Sequence, residues 1–292
     1  MRRLLIVVCL LLLAPAAWAE APGKGRLWRI ERPGLAPSWL FGTMHSSAPE
    51  ALKLPGSVLR ALAEAEVVVG ELDMTQVNYG SIMASALLPA GESLADHLSP
   101  ELHARTLAAV APLGLAPAVA DRLEVWFLAL MLSNDPAEIE RQRQGLVVLD
   151  DWLQQEGRRQ GKAIVGLEAL EEQLGIFAGW PETLQVAMLR AALDYPGLIA
   201  GSNAALTALW LDGDLPSMWR LFRVSLMASG PEFRRRMTDD LVLARNHLMA
   251  ERLAPLLAEG GVFVAVGALH LAGEEGLIVL LREEGWSVTR AD

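Results

Sequence analysis

The sequence predicts an α/β fold, with α+β as the alternative: a central mixed sheet built from the N- and C-terminal strands, covered by a large, mainly helical insertion. Three observations carry this prediction. Strand-like runs cluster at residues 27–72 and again at 261–289, while residues between them follow helical spacing. No internal repeat and no low-complexity linker divides the chain, so the distant strands are expected to share one sheet.

The elements follow in chain order. Leu27-Trp28-Arg29-Ile30-Glu31 alternates apolar and polar residues, as a half-buried strand does. Pro33-Gly34 marks a turn and Ser38 to Thr43 reads as a second strand, giving a hairpin. Pro55 to Glu66 is helical, with Val58, Leu59, Leu62 and Ala65 on one face. Val67-Val68-Val69-Gly70-Glu71-Leu72 is β-branched and apolar, the signature of a strand buried on both faces. The insertion spans about 81–251 and is interrupted by a short strand near 162–168. Its helices are expected to break near Pro181, Pro196 and Pro231. A strand at Gly261–Gly267, an amphipathic helix from Gly273 to Glu284 and a last strand at Trp286–Thr289 close the chain.

Composition bounds the function. The 292 residues are 52% apolar, enough for a sizeable core. Arg2 and Arg3, the apolar run Leu4 to Ala14 and the small residues of Ala17-Trp18-Ala19 read as a signal peptide cleaved after Ala19. That leaves residues 20–292 as a single domain, exported and most simply periplasmic, with no stable membrane span. An uncleaved anchor is the alternative. Cleavage removes Cys9, the only cysteine, so disulfide and thiolate chemistry are excluded from the mature chain. The net charge of −10 and the lack of a basic stripe argue against nucleic acid as a partner; Arg234-Arg235-Arg236 is followed at once by Asp239 and Asp240.

Two of the five histidines repeat one local pattern. Gly42-Thr43-Met44-His45 ends the second strand and Gly267-Ala268-Leu269-His270 ends the penultimate one. Ligands of open α/β sheets bind beyond the carboxyl ends of strands, where both imidazoles fall. Glu71 and Glu168 end apolar runs in the same way, and a buried carboxylate needs a histidine, an arginine or a metal ion beside it. Two imidazoles and a carboxylate form the ligand set of many catalytic metal sites. The alternative left open by spacing alone is two satisfied loop histidines and a structural ion pair. A serine-hydrolase elbow, a phosphate-binding Gly-Lys loop and a His-Glu-x-x-His run are all missing. His97 and His103 lie in polar helical sequence and read as surface residues; His247 is open either way.

Taken together, these pieces resemble the TraB/GumN family, which is related to the Tiki proteases and more distantly to the erythromycin-esterase/ChaN-like group. The matching segments are Leu27-Trp28, Trp39 to His45, Glu71-Leu72-Asp73, Gly166-Leu167-Glu168 with Glu171-Glu172-Gln173-Leu174, Arg245-Asn246, and Val264 to Leu271. The resemblance implies a metal-dependent hydrolase using an activated water on a peptide or ester carbonyl. By that likeness His45 and His270 match the family's motif histidines, Glu71 its glutamate and Arg245 its arginine. The metal would be Mn, Co, Zn or Fe, with Glu71 as a third ligand or general base. Arg245 is then expected to steady an oxyanion or hold a substrate carboxylate, Asn246 to orient a neighbour, and Glu168 to orient a histidine. Gly145 to Asp150 departs from the family pattern, so no role passes to Asp150 or Asp151. A binding protein for a ligand, metal or haem in the cell envelope is the competing reading.

Overall fold

The computed structural model describes residues 23–292, so the expected signal peptide at 1–19 lies outside the described residues. Six strands form one mixed sheet: β1 (Leu27–Glu31), β2 (Ser38–Thr43), β3 (Val67–Leu72), β4 (Ala163–Glu168), β5 (Val262–Gly267) and β6 (Ser287–Arg290). Their order across the sheet is β4-β3-β5-β2-β1-β6. The β1–β2 hairpin is antiparallel, as expected, with Leu27 opposite Phe41. Beyond it, β2, β5, β3 and β4 run parallel, with Thr43 opposite Gly267 and Gly70 opposite both Ala265 and Gly166.

Sequence explains this order. Central strands of a parallel sheet are covered on both faces and need apolar residues throughout. Val262-Phe263-Val264-Ala265-Val266-Gly267 meets that demand and is buried at every position. Each Val or Phe there contributes about 1.5–3 kcal/mol through burial. Leu62, Leu153, Leu253 and Leu281, from four different helices, join the same core. The outer strand β6 is short and shows only Val288 to the core, which suits an edge.

The helical region carries a second core around Leu94, Leu123, Trp126 and Leu189. It is broken into many short helices rather than a few long ones. Pro196 and Pro231 open helices at their first turn, where a missing N–H costs nothing, while Pro181 is itself the N-cap residue of the Glu182–Asp194 helix. Pro255 sits inside the Ala244–Glu259 helix without ending it. The predicted Gly273–Glu284 helix is shorter, Leu277–Glu283, because Gly273 takes a positive φ of 85°. Trp210 donates its indole N–H to the Gly42 carbonyl at 2.8 Å, tying the Pro196–Leu211 helix to the end of β2. Among the described residues no helix is long and apolar enough to cross a membrane.

Candidate functional site

The carboxyl ends of four neighbouring parallel strands meet at one rim. Read across the sheet, they bring Glu168 from β4, Glu71 from β3, His270 just after β5 and His45 just after β2. Residues up to 225 positions apart in sequence therefore converge because their strands are adjacent.

Glu71 is the centre. Its Oε1 lies 3.5 Å from His45 Nε2 and 3.8 Å from His270 Nε2. The same oxygen accepts the Gly267 backbone N–H at 2.7 Å. Its Oε2 accepts from Arg245 Nη2 at 2.6 Å and from Gln173 Nε2 at 3.4 Å. Burial alone would push this carboxyl up, but His270, His45 and Arg245 hold it well below the usual carboxylate range. Gly267 keeps the gap open: a Cβ there would stand 3.0 Å from His45 Nε2 and 3.2 Å from Glu71 Oε1.

Both imidazoles are oriented from behind. Asn246 is buried and donates its Nδ2 to the Glu275 carbonyl at 2.7 Å. Its Oδ1 therefore faces His270 and accepts the Nδ1–H at 2.7 Å. The Nε2 lone pair of neutral His270 then points toward Glu71. Burial pushes the His270 imidazole down to about 4, so it is neutral at pH 7. On the other side, Asp150 Oδ2 lies 2.9 Å from His45 Nδ1, and its Oδ1 accepts the Thr43 hydroxyl at 2.6 Å. The Asp150 charge raises the His45 imidazole well above its ordinary value.

Asp150, left without a role on sequence grounds, thus holds one motif histidine. Its signal was its place in the first turn of the Leu149–Arg159 helix, but its partner is 105 positions away. Gln173, to which the sequence alone gives no function, bridges Glu71 and Glu168 from the Leu170–Ala178 helix.

Two expectations are corrected. Glu168 does not orient a histidine; its carboxylate receives Arg245 Nε at 2.9 Å and Nη2 at 2.7 Å. β4 lies beyond β3, one strand further from the strands that carry the imidazoles. Arg245 is not free to take a substrate carboxylate in its fork either. Its Nε and Nη2 serve Glu168 and Glu71, and its Nη1 donates to the Leu241 carbonyl at 3.1 Å.

Two ligands bonded to a tetrahedral ion at about 2.1 Å stand roughly 3.4 Å apart. The two imidazole-to-carboxylate separations are near or a few tenths of an ångström above that. Among the described residues no group of three or more His, Cys, Asp or Glu side chains is placed to hold a metal ion as it stands. The donor chemistry nevertheless fits a divalent cation: two imidazoles with Nδ1 engaged and Nε2 turned toward one carboxylate oxygen, in a cradle that a Cβ would fill.

The rim opens into a cavity of about 650 Å³. Its lining joins His45, His270 and Arg245 to Glu138 and Arg141 from the Pro136–Arg143 helix, and to apolar residues such as Leu206 and Phe222.

Residues 26–290 match the TraB/PrgY/gumN family model. The chain belongs to the TraB/PrgY/gumN family. Among its relatives, Metalloprotease TIKI1 of Homo sapiens is 28% identical over an alignment covering 99% of this chain and 68% of the human protein. Metalloprotease TIKI2 of Danio rerio is 26% identical, covering 90% of this chain and 60% of the fish protein. The chain thus spans about two thirds or less of the length of these TIKI proteins. Uncharacterized protein YbaP of Shigella flexneri is 27% identical, covering 91% of this chain and 96% of the other. No solved structure matches the chain. For this TraB/PrgY/gumN member the rim therefore coincides with the segments, Gly42–His45 and Gly267–His270, on which the likeness was first drawn.

Proposed function

We propose that this protein is an exported metal-dependent hydrolase that cleaves peptides. The observation that carries the reading is the paired orientation of His45 and His270: each Nδ1 is engaged, by Asp150 and Asn246, and each Nε2 faces Oε1 of Glu71. The name metalloprotease borne by the TIKI relatives supports the reaction class.

His45 Nε2, His270 Nε2 and Glu71 Oε1 would hold the ion. When bound, such an ion acts as a Lewis acid that lowers the pKa of water and polarises a carbonyl. Neutral His270 is ready as a ligand, whereas His45 must release its Nε2 proton first. Glu71 is held ionised by its neighbours and is a weak base, which favours a ligand role over a general-base role. Arg245 and Glu168 fix Glu71 from behind rather than touching substrate. The apolar part of the cavity lining receives substrate side chains.

The test is digestion of a mixed peptide library by the purified protein, read by mass spectrometry, with and without a chelator and with Zn, Mn, Co or Fe restored. Cleavage lost on chelation and regained with one metal is expected. Cleavage indifferent to the chelator, or none with any metal, would overturn the proposal. Export is tested by N-terminal sequencing of the protein recovered outside the cytoplasm; a chain that keeps residues 1–19 would contradict it.

A further inference from the structure

We infer that Arg141 binds a main-chain carbonyl of the peptide in the cavity; this rests on the peptide-hydrolase reading and names how that site holds its substrate. Two arginines line the cavity. Arg245 is committed to Glu71, Glu168 and the Leu241 carbonyl. Arg141 is different. Its Nε donates to Ser47 Oγ at 3.3 Å and its Nη2 to Glu138 Oε2 at 2.5 Å. No described residue accepts a hydrogen bond from its Nη1, and its side chain is 26% exposed.

The guanidinium is also held in place. Glu138 accepts the Ser47 backbone N–H at 2.9 Å and the Ser46 hydroxyl at 3.1 Å, and both serines are buried. This anchors the fork to the loop that carries His45, one and two residues away. A donor fixed beforehand loses little side-chain entropy when a ligand arrives.

Charge selects the acceptor. Glu138 already neutralises Arg141, and Glu50 and Asp135 line the same cavity. A further carboxylate would be repelled, whereas a neutral carbonyl would not. A peptide offers such a carbonyl at every residue, while the Leu206, Leu211 and Phe222 part of the lining accepts apolar side chains.

The experiment uses an N-acetylated, C-amidated hexapeptide of alternating alanine and leucine. It is titrated into the purified protein with a chelator present, so that the probe stays intact. Each amide is then replaced in turn by an alkene isostere, which removes one carbonyl together with its N–H, and by an ester, which removes the N–H alone; the difference between the two reads the carbonyl. At one position the alkene should weaken binding to the natural protein about tenfold more than the ester does, the effect of a hydrogen bond to a charged group. That difference should vanish in Arg141→Gln, whose affinity for the parent peptide is already lower by a similar factor. Should that variant fail to fold, Arg141→Lys takes its place, keeping the charge beside Glu138 but losing the fork. No binding of the parent peptide, or the same difference at every position in both proteins, would overturn the inference. Carbonyl coupling without metal-dependent cleavage would sink the hydrolase reading alone; cleavage without coupling would sink this one alone.

Discussion

Nδ1 of His45 lies 2.9 Å from Oδ2 of Asp150, and this contact turns Nε2 toward Glu71. Replacing the carboxylate with an amide keeps the shape but removes the charge. Asp150→Asn should lower the His45 imidazole toward its ordinary value and weaken metal binding by about 10–100-fold. Competition against a chromophoric chelator measures this; an unchanged affinity would remove Asp150 from the site.

Arg245 sits between two buried carboxylates, Glu71 and Glu168, whose side chains are 10% and 1% exposed. Removing the guanidinium leaves Glu168 with only the Gln173 amide and takes from Glu71 its arginine, leaving His45, Gln173 and the Gly267 N–H. Arg245→Met should cost about 3–5 kcal/mol of folding stability in denaturant titration. Adding Glu168→Gln to that variant should recover part of the loss, because one buried charge then disappears. A loss no larger than that of an exposed ion pair would contradict the assignment.

The His270 imidazole is held near 4 by burial, against 6.5 when exposed. The unfolded chain therefore takes up this proton first, and stability falls as the pH drops from about 6.5 to about 4. The loss should approach about 3 kcal/mol at the acid end of that window. His270→Gln cannot bind the proton and should flatten the stability profile there. Thermal melts of the metal-free protein at stepped pH compare the two; parallel profiles would contradict the burial argument.

How much of this was legible from sequence depends on the range of each contact. The apolar runs of β3 and β5 announce buried strands, and a polar residue placed beyond such a strand must fall at the sheet rim. His45, Glu71, Glu168 and His270 could be placed by that logic alone. Their partners could not, because which residue meets which depends on strand order. Glu168 was expected beside an imidazole and instead holds Arg245, since β4 is at the outside of the parallel group. Asp150 was hidden for a different reason. Its helix is polar and its first turn carries two adjacent aspartates, a common feature of solvated helix starts. Only folding brings it to His45. The helical region resisted the same reading because its breaks come from short turns, such as the one at Gly145, as well as from proline.

Gly267 leaves the gap between His45 Nε2 and Glu71 Oε1 open, and its backbone has an ordinary negative φ of −52°. Alanine is therefore tolerated by the main chain but intrudes on the cradle. Gly267→Ala should reduce metal affinity at least tenfold while moving the melting temperature of the metal-free protein by only a few degrees, because the nearest atoms to the added methyl belong to side chains, first among them the exposed His45, which can give way. Equal metal affinity in the two proteins would show that the cradle is not the binding position.

The most direct test is the metal content of the purified protein, measured by elemental analysis after saturation and desalting, beside that of His45→Ala and His270→Ala. One equivalent of a divalent metal in the natural chain, falling to background in both variants with their folds intact by circular dichroism, is the predicted result. Full metal content in either variant would contradict a centre shared by the two histidines.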